Sequence, residues 1–234
     1  MAIPTFVSFG SSAFNTSTSP KTVAISVTAG DRIVVMSLGE HAGSSAVNTA
    51  PTGGSETYTQ AATLGTGATT ARAIAWTATA ASTQSYSVSC VRPMSSTTAN
   101  WGCMVWVLRN SNGFGVIGAP TVDSTSNSVT VTTTQDNSAL VIASSDFAAV
   151  DGTTRTRRTI NSSTGAEDLY GMVSTSYTWY AQRYTDTGTA GSVTGGYSAP
   201  TGQTSAIIAV EVKGTAGGGP ALPPELIMQT MRTD

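Results

Sequence analysis

"VAISVTAGDRIVVMS", from Val23 to Ser37, sets two kinds of strand side by side. Val23, Ile25 and Val27 alternate with Ala24, Ser26 and Thr28, the period of two that marks a strand with one buried face. Gly30 and Asp31 supply turn chemistry. Ile33, Val34, Val35 and Met36 then run on without alternation, as in a central strand covered on both faces.

The same pair returns in "SVTVTTTQDNSALVIAS", from Ser128 to Ser144. Val129 and Val131 alternate, and "ALVIA" (Ala139–Ala143) is continuous. "SYSVSCV" (Ser85–Val91) alternates Tyr86, Val88 and Cys90, and "IIAVEVK" (Ile207–Lys213) alternates Ile208, Val210 and Val212. "WGCMVWVL" (Trp101–Leu108) is apolar on both faces. No window before residue 220 carries the helical period. The reading is all-β.

The order of these elements repeats. Arg32–Val35 aligns with Ala139–Ile142, Ile74–Trp76 with Trp179–Ala181, and Val107–Asn110 with Glu211–Gly214, at nearly constant offsets. The pattern predicts two tandem, duplicated β-sandwich or jelly-roll-like domains, each near the usual size of a small sandwich. The expected divisions are 1–112, a linker at 113–127, 128–214, and a C-terminal segment at 215–234. Either beads on a string or one fused body fits this order. The linker's Phe114, Val116 and Ile117 need cover, which pairing with "IPTFVSFG" (Ile3–Gly10) would provide.

Charged residues make up only 10% of the 234 residues, against about 25% in ordinary domains. The net charge of −2 offers no basic surface for a phosphate backbone, so nucleic acid is not an expected partner. The opening "MAIPTFVSFGSS" has no basic region followed by a long apolar stretch, so no export signal is expected. No run approaches the length of a membrane helix, so no membrane insertion is expected.

Chemistry-bearing constellations are sparse. His41, the one histidine, follows Glu40 in "GEHAGSS" without a nucleophile elbow. Cys90 and Cys103 lack metal-ligand spacing and read as buried free thiols, though a hairpin between them would let them face each other. Scattered acids form no calcium loop. No cofactor, metal or catalytic residue is expected, and the protein reads as a non-enzyme. Arg155, Arg157 and Arg158 read as a solvated loop able to meet Glu167 or Asp168. In "SYTWYAQRYTD", Tyr177 and Trp179 share one face and Tyr180, Gln182 and Tyr184 the other. With the first face in the core, Tyr180, Gln182 and Tyr184 present an outward aromatic-polar stripe suited to an interface or a sugar ring.

"GTAGGGPALPPELIMQTMRTD" (Gly214–Asp234) closes the chain. A Gly-rich tether and a stiff Pro stretch lead to a short helical segment with Pro224 in its first turn. Leu222, Leu226, Ile227, Met228 and Met231 form its apolar docking surface. Two turns do not persist alone in water, so the tip is either disordered or docked in a receiving groove.

"GDRIVVM", "AIAWTATA" and "WGCMVWVLRN" together resemble the repeated β-sandwich units of minor tail proteins from phages of GC-rich Actinobacteria; head decoration proteins are a nearby alternative. The likeness covers most of residues 20–214. It implies a non-enzymatic virion component assembled in the host cytoplasm. Its partners would be other virion proteins and copies of itself, as a homo-oligomer such as a trimer, with host surface glycan as a further ligand. A carbohydrate-binding module using Tyr180, Tyr184 or Trp76 is a competing reading, and a sandwich glycoside hydrolase a third.

Overall fold

The computed structural model describes residues 2–40, 45–64, 72–123, 126–147, 153–173 and 177–215. His41 and the C-terminal Leu222, Leu226, Ile227, Met228 and Met231 lie outside the described residues.

The described elements are all strands. In the first half they are β1 (Thr5–Ser11), β2 (Lys21–Val27), β3 (Arg32–Gly39), β4 (Thr59–Leu64), β5 (Arg72–Thr79), β6 (Gln84–Cys90) and β7 (Trp101–Arg109). The second half begins with β8 (Phe114–Asp123), β9 (Ser126–Thr132) and β10 (Ala139–Asp146). Short β11 (Thr156–Arg157), β12 (Thr159–Ile160) and β13 (Ser163–Thr164) come next. The chain continues through β14 (Ala166–Val173), β15 (Tyr177–Tyr184), β16 (Ser192–Thr201) and β17 (Ser205–Val212).

Two five-stranded antiparallel sheets dominate, with orders β1-β7-β3-β5-β4 and β8-β17-β10-β15-β14. In each, the half's first strand flanks its last. A small sheet accompanies each: β2-β6 in the first half and β9-β16-β11 in the second. The two halves therefore follow one path. The registers agree too: Ile33 sits opposite Val107 and Ala78, as Leu140 sits opposite Glu211 and Tyr184. This register matches Ile74 to Tyr180, one residue away from the alignment read in the sequence.

Alternation along the strands sorts side chains into three cores. Val34, Met36, Met104, Trp106, Val141, Tyr177, Trp179 and Ile208 meet between the two large sheets. Ile33, Val35, Trp76, Trp101, Cys103 and Val105 face the first small sheet and its Val23, Ile25 and Val88. Leu140, Ile142, Tyr184 and Ile207 face the second, with Val129 and Val131. The molecule is a stack of four layers: small sheet, large sheet, large sheet, small sheet. The continuous apolar runs are the inner strands, because both of their faces are covered. The halves are fused through an apolar seam and are not beads on a string.

Two details pin the seam. Phe14 lies flat against Gly102, where a Cβ would come within 2.4 Å of its ring. That ring stacks on Trp179 with centroids 5.2 Å apart, and the Tyr177 hydroxyl donates to the Phe14 carbonyl at 2.5 Å. A loop from the first half is thus seated on the second.

The expected linker at 113–127 is corrected: it carries β8, an edge strand paired with β17. Gly115 and Gly118 in it mark close approach, not flexibility. A Cβ on Gly118 would come within 2.5 Å of Val131 Cγ1, and one on Gly115 within 2.0 Å of the Glu211 carboxylate. Nor does this segment pair with residues 3–10, since β1 pairs with β7. The expected start of the tether at residue 215 also shifts. Thr215 N donates to the Ala2 carbonyl at 3.0 Å, so the folded body includes Thr215.

Candidate functional site

The outward stripe of Tyr180, Gln182 and Tyr184 does not exist. The three residues are 1%, 1% and 2% exposed. Their face of β15 is the floor of the core beneath β9, β16 and β11. The Tyr180 ring packs at 5.1 Å from Tyr197, and its hydroxyl accepts from Gln203 Nε2 at 3.2 Å. The Tyr184 hydroxyl donates to the Arg158 carbonyl at 3.0 Å and accepts from Gly196 N at 3.2 Å. Burial pushes both phenols up. Trp76, the other proposed sugar platform, is buried under the first small sheet. A sugar ring has no access to any of these faces, so glycan stacking on them is excluded.

What the molecule does present is a pair of hydroxyl faces. On the first small sheet the outward side chains are Thr22, Ala24 and Ser26 on β2, and Ser85, Ser87 and Ser89 on β6. On the second they are Ser128, Thr130 and Thr132 on β9, and Ser192 and Thr194 on β16. None of these carries a charge, while Arg157 of β11, the third strand of the second small sheet, is exposed beside them. Each face holds a cross-strand hydroxyl pair, Ser26 with Ser85 at 2.7 Å and Thr130 with Thr194 at 2.8 Å. Such pairs stiffen a small sheet by tenths of a kcal/mol each, on the order of 0.2–1. These arrays form the two ends of the four-layer stack. The signal was present in the sequence, in the polar half of each alternating strand.

Beside the second face lies an open cleft of about 560 Å³, lined by Arg157, Arg158, Asn161 and Thr194 among others. Arg155 turns away from it. Its guanidinium grips Glu167 through two hydrogen bonds of 2.7 Å and lies 3.8 Å over the Tyr170 ring. Tyr197 also donates to Glu167, at 3.0 Å. Burial pushes the Glu167 carboxyl up, but Arg155 and Tyr197 outweigh it and hold it below the usual range. The meeting of Arg155 with Glu167 fits the sequence reading, and its effect is to tie the loop before β11 to β14.

Inside, Glu211 on β17 is fully buried and anchors the start of the second half. It accepts from the backbone of Val116 at 2.7 Å, of Thr134 at 2.9 Å and of Gln135 at 3.2 Å, and from the Ser138 hydroxyl at 2.8 Å. Lys21 is its counterpart in the first half as a buried charge. It lies in phase with Val23 and Ile25, so its side chain enters the core, where Nζ donates to the carbonyls of Ala13, Thr16 and Trp101 at 2.6, 3.0 and 2.5 Å. Burial pushes its ammonium down to about 8. Cys90 and Cys103 are free and buried beside it.

Among the described residues, no group of three His, Cys, Asp or Glu side chains is placed to hold a metal ion. Likewise, no described helix is long and apolar enough to cross a membrane. No family model, no curated protein and no solved structure matches the chain.

Proposed function

We propose that this chain is a non-enzymatic structural protein of a phage virion, a minor tail component that acts in assembly and host contact. In this reading it is built from two tandem copies of one sandwich unit, a duplication supported by the shared strand order. The observation that carries the reading is the pair of hydroxyl-lined strand pairs, β2-β6 and β9-β16, at opposite ends of the stack. Interface cores are depleted in charge. A body with a like face at each end suits repeated contacts between copies or with neighbouring virion proteins. The apolar C-terminal residues Leu222, Leu226, Ile227, Met228 and Met231 act as a latch on one of those neighbours. The low overall charge supports the same role.

The test uses particles produced in a host that carries tagged chains. The full-length chain is expected in purified particles at fixed stoichiometry. A Ser26→Lys, Thr130→Lys double variant is expected to fold, with a melting temperature lowered by only a few degrees, and to be left out. A chain ending at Thr215 is expected to behave the same way. Absence of the full-length chain from particles overturns the reading. Normal incorporation of the lysine variant removes the hydroxyl faces from it, and normal incorporation of the shortened chain removes the latch. Imaging that places the tag on the head would turn the assignment to capsid decoration.

A further inference from the structure

Cys90 and Cys103 reach one point from two sheets. Cys90 ends β6 in the first small sheet, directly opposite Lys21 of β2. Cys103 lies on β7 of the large sheet, opposite Ser37 of β3. Both point into the same core, at 1% and 0% exposure. The two thiols lie close enough to shift each other's ionisation. Around them is a polar shell unusual for an apolar core. Cys103 Sγ donates to Ser12 Oγ at 3.6 Å, and Lys21 Nζ donates to the Trp101 carbonyl two residues before Cys103.

The surroundings treat the two sulfurs differently. The neighbouring Cys90, with help from Ser12 and the Lys21 ammonium, pulls the Cys103 thiol down. The neighbouring Cys103 and burial push the Cys90 thiol up. Cys103 is therefore the sulfur that ionises first, and the thiolate is the nucleophile in exchange.

We propose that Cys90 and Cys103 form a redox modification site, a buried dithiol that closes to a disulfide between β6 and β7 on meeting a low-molecular-weight disulfide. The Cys103 thiolate attacks one sulfur of the oxidant, forming a mixed disulfide and expelling the other half as a thiolate. The Cys90 sulfur then attacks Cys103, its proton passing to the departing thiolate. Two protein thiols are oxidised, and one disulfide is reduced to two thiols. The stretch from Ser12 to Thr16 covers the pair: Ser12 touches Cys103, and the Ala13 and Thr16 carbonyls hold Lys21. Lifting of this stretch sets the rate. The bond would close a short loop and cross-link the two layers at β6 and β7. This inference does not depend on the assembly role.

The test incubates the reduced full chain with oxidised glutathione at pH 8, then maps peptides without reduction. A linked Cys90–Cys103 peptide is expected, reversed by dithiothreitol, with a melting temperature raised by about 5 °C or more. Cys90→Ala is expected to stop at a glutathione adduct on Cys103, and Cys103→Ala to react far more slowly. A second arm refolds the chain from urea in a glutathione redox buffer, which bypasses the cover. Glutathione adducts on both cysteines without linkage overturn the site. So does a chain that stays a dithiol in the native arm and also refolds as a dithiol.

Discussion

The indole Nε1 of Trp106 donates a 2.8 Å hydrogen bond to Oδ2 of Asp168, across the seam between the two large sheets. Trp106 comes from β7 in the first half and Asp168 from β14 in the second. Arg183 of β15 pairs with the other carboxylate oxygen and lays its guanidinium 4.7 Å over the ring of Phe6, on β1. Burial pushes the Asp168 carboxyl up, while Trp106 and Arg183 favour its charged form. Four strands, two from each half, are tied by one polar knot at the rim of an apolar core.

Trp106→Phe tests whether the halves stand or fall together. The change removes the donor to a buried carboxylate and leaves a void in the seam. Such losses together cost about 2–3 kcal/mol. Because the central core belongs to both halves, urea unfolding is expected to remain one transition, with its midpoint lowered and its slope unchanged. The readouts are Trp fluorescence and circular dichroism. Two separated transitions, with only one of them displaced, would mean that the halves are independent folding units.

Lys21 gives a pH dependence of definite sign. Its pKa falls from 10.5 to about 8 in the folded protein, chiefly through burial. Between these values the unfolded chain binds more protons than the folded one, so the contribution of this group to stability rises with pH. It is fully present above 10.5 and is lost as pH falls through about 8. The three carbonyls that receive Nζ limit the penalty but do not change its direction. Against Lys21→Met, the wild type should gain stability from pH 7.5 to 10, by an amount on the order of 2 kcal/mol. Urea midpoints for both proteins across this range measure it. A parallel pH profile for the two proteins would show that Lys21 titrates as in water.

Much of the fold was legible because alternation is a local property. Val23, Ile25 and Val27 announce one buried face, and Ile33–Met36 announce two, whatever else the chain does. Coverage is not local. Nothing in "SYTWYAQRYT" says that β9 and β16, distant in sequence, lie over Tyr180 and Tyr184. That is why a buried floor read as an outward stripe. Glycine misled for a related reason: at Gly115 and Gly118 it makes room for Glu211 and Val131, yet sequence alone cannot distinguish that from flexibility. The hydroxyl faces are the polar half of the same alternation, and alternation alone does not say whether that half meets solvent or another layer. The docking residues of the C-terminal segment lie outside the described residues.

Gln182 offers a stability test in the opposite direction. It occupies the position in β15 that Trp76 occupies in β5, on the face turned toward the small sheet. It is 1% exposed, and neither Oε1 nor Nε2 has a hydrogen-bond partner among the described residues. Neighbours across the strands are Ile142 and Glu167. A buried amide without partners costs about 1–3 kcal/mol. Methionine has similar length and volume, needs no hydrogen bond and adapts to irregular space. Gln182→Met is therefore expected to stabilise the protein by about 1–2 kcal/mol, raising the melting temperature by roughly 2–6 °C. Calorimetry of the two proteins measures the change. A lower melting temperature for the variant would show that the amide is satisfied by water held inside the third core, and that this water is part of the structure.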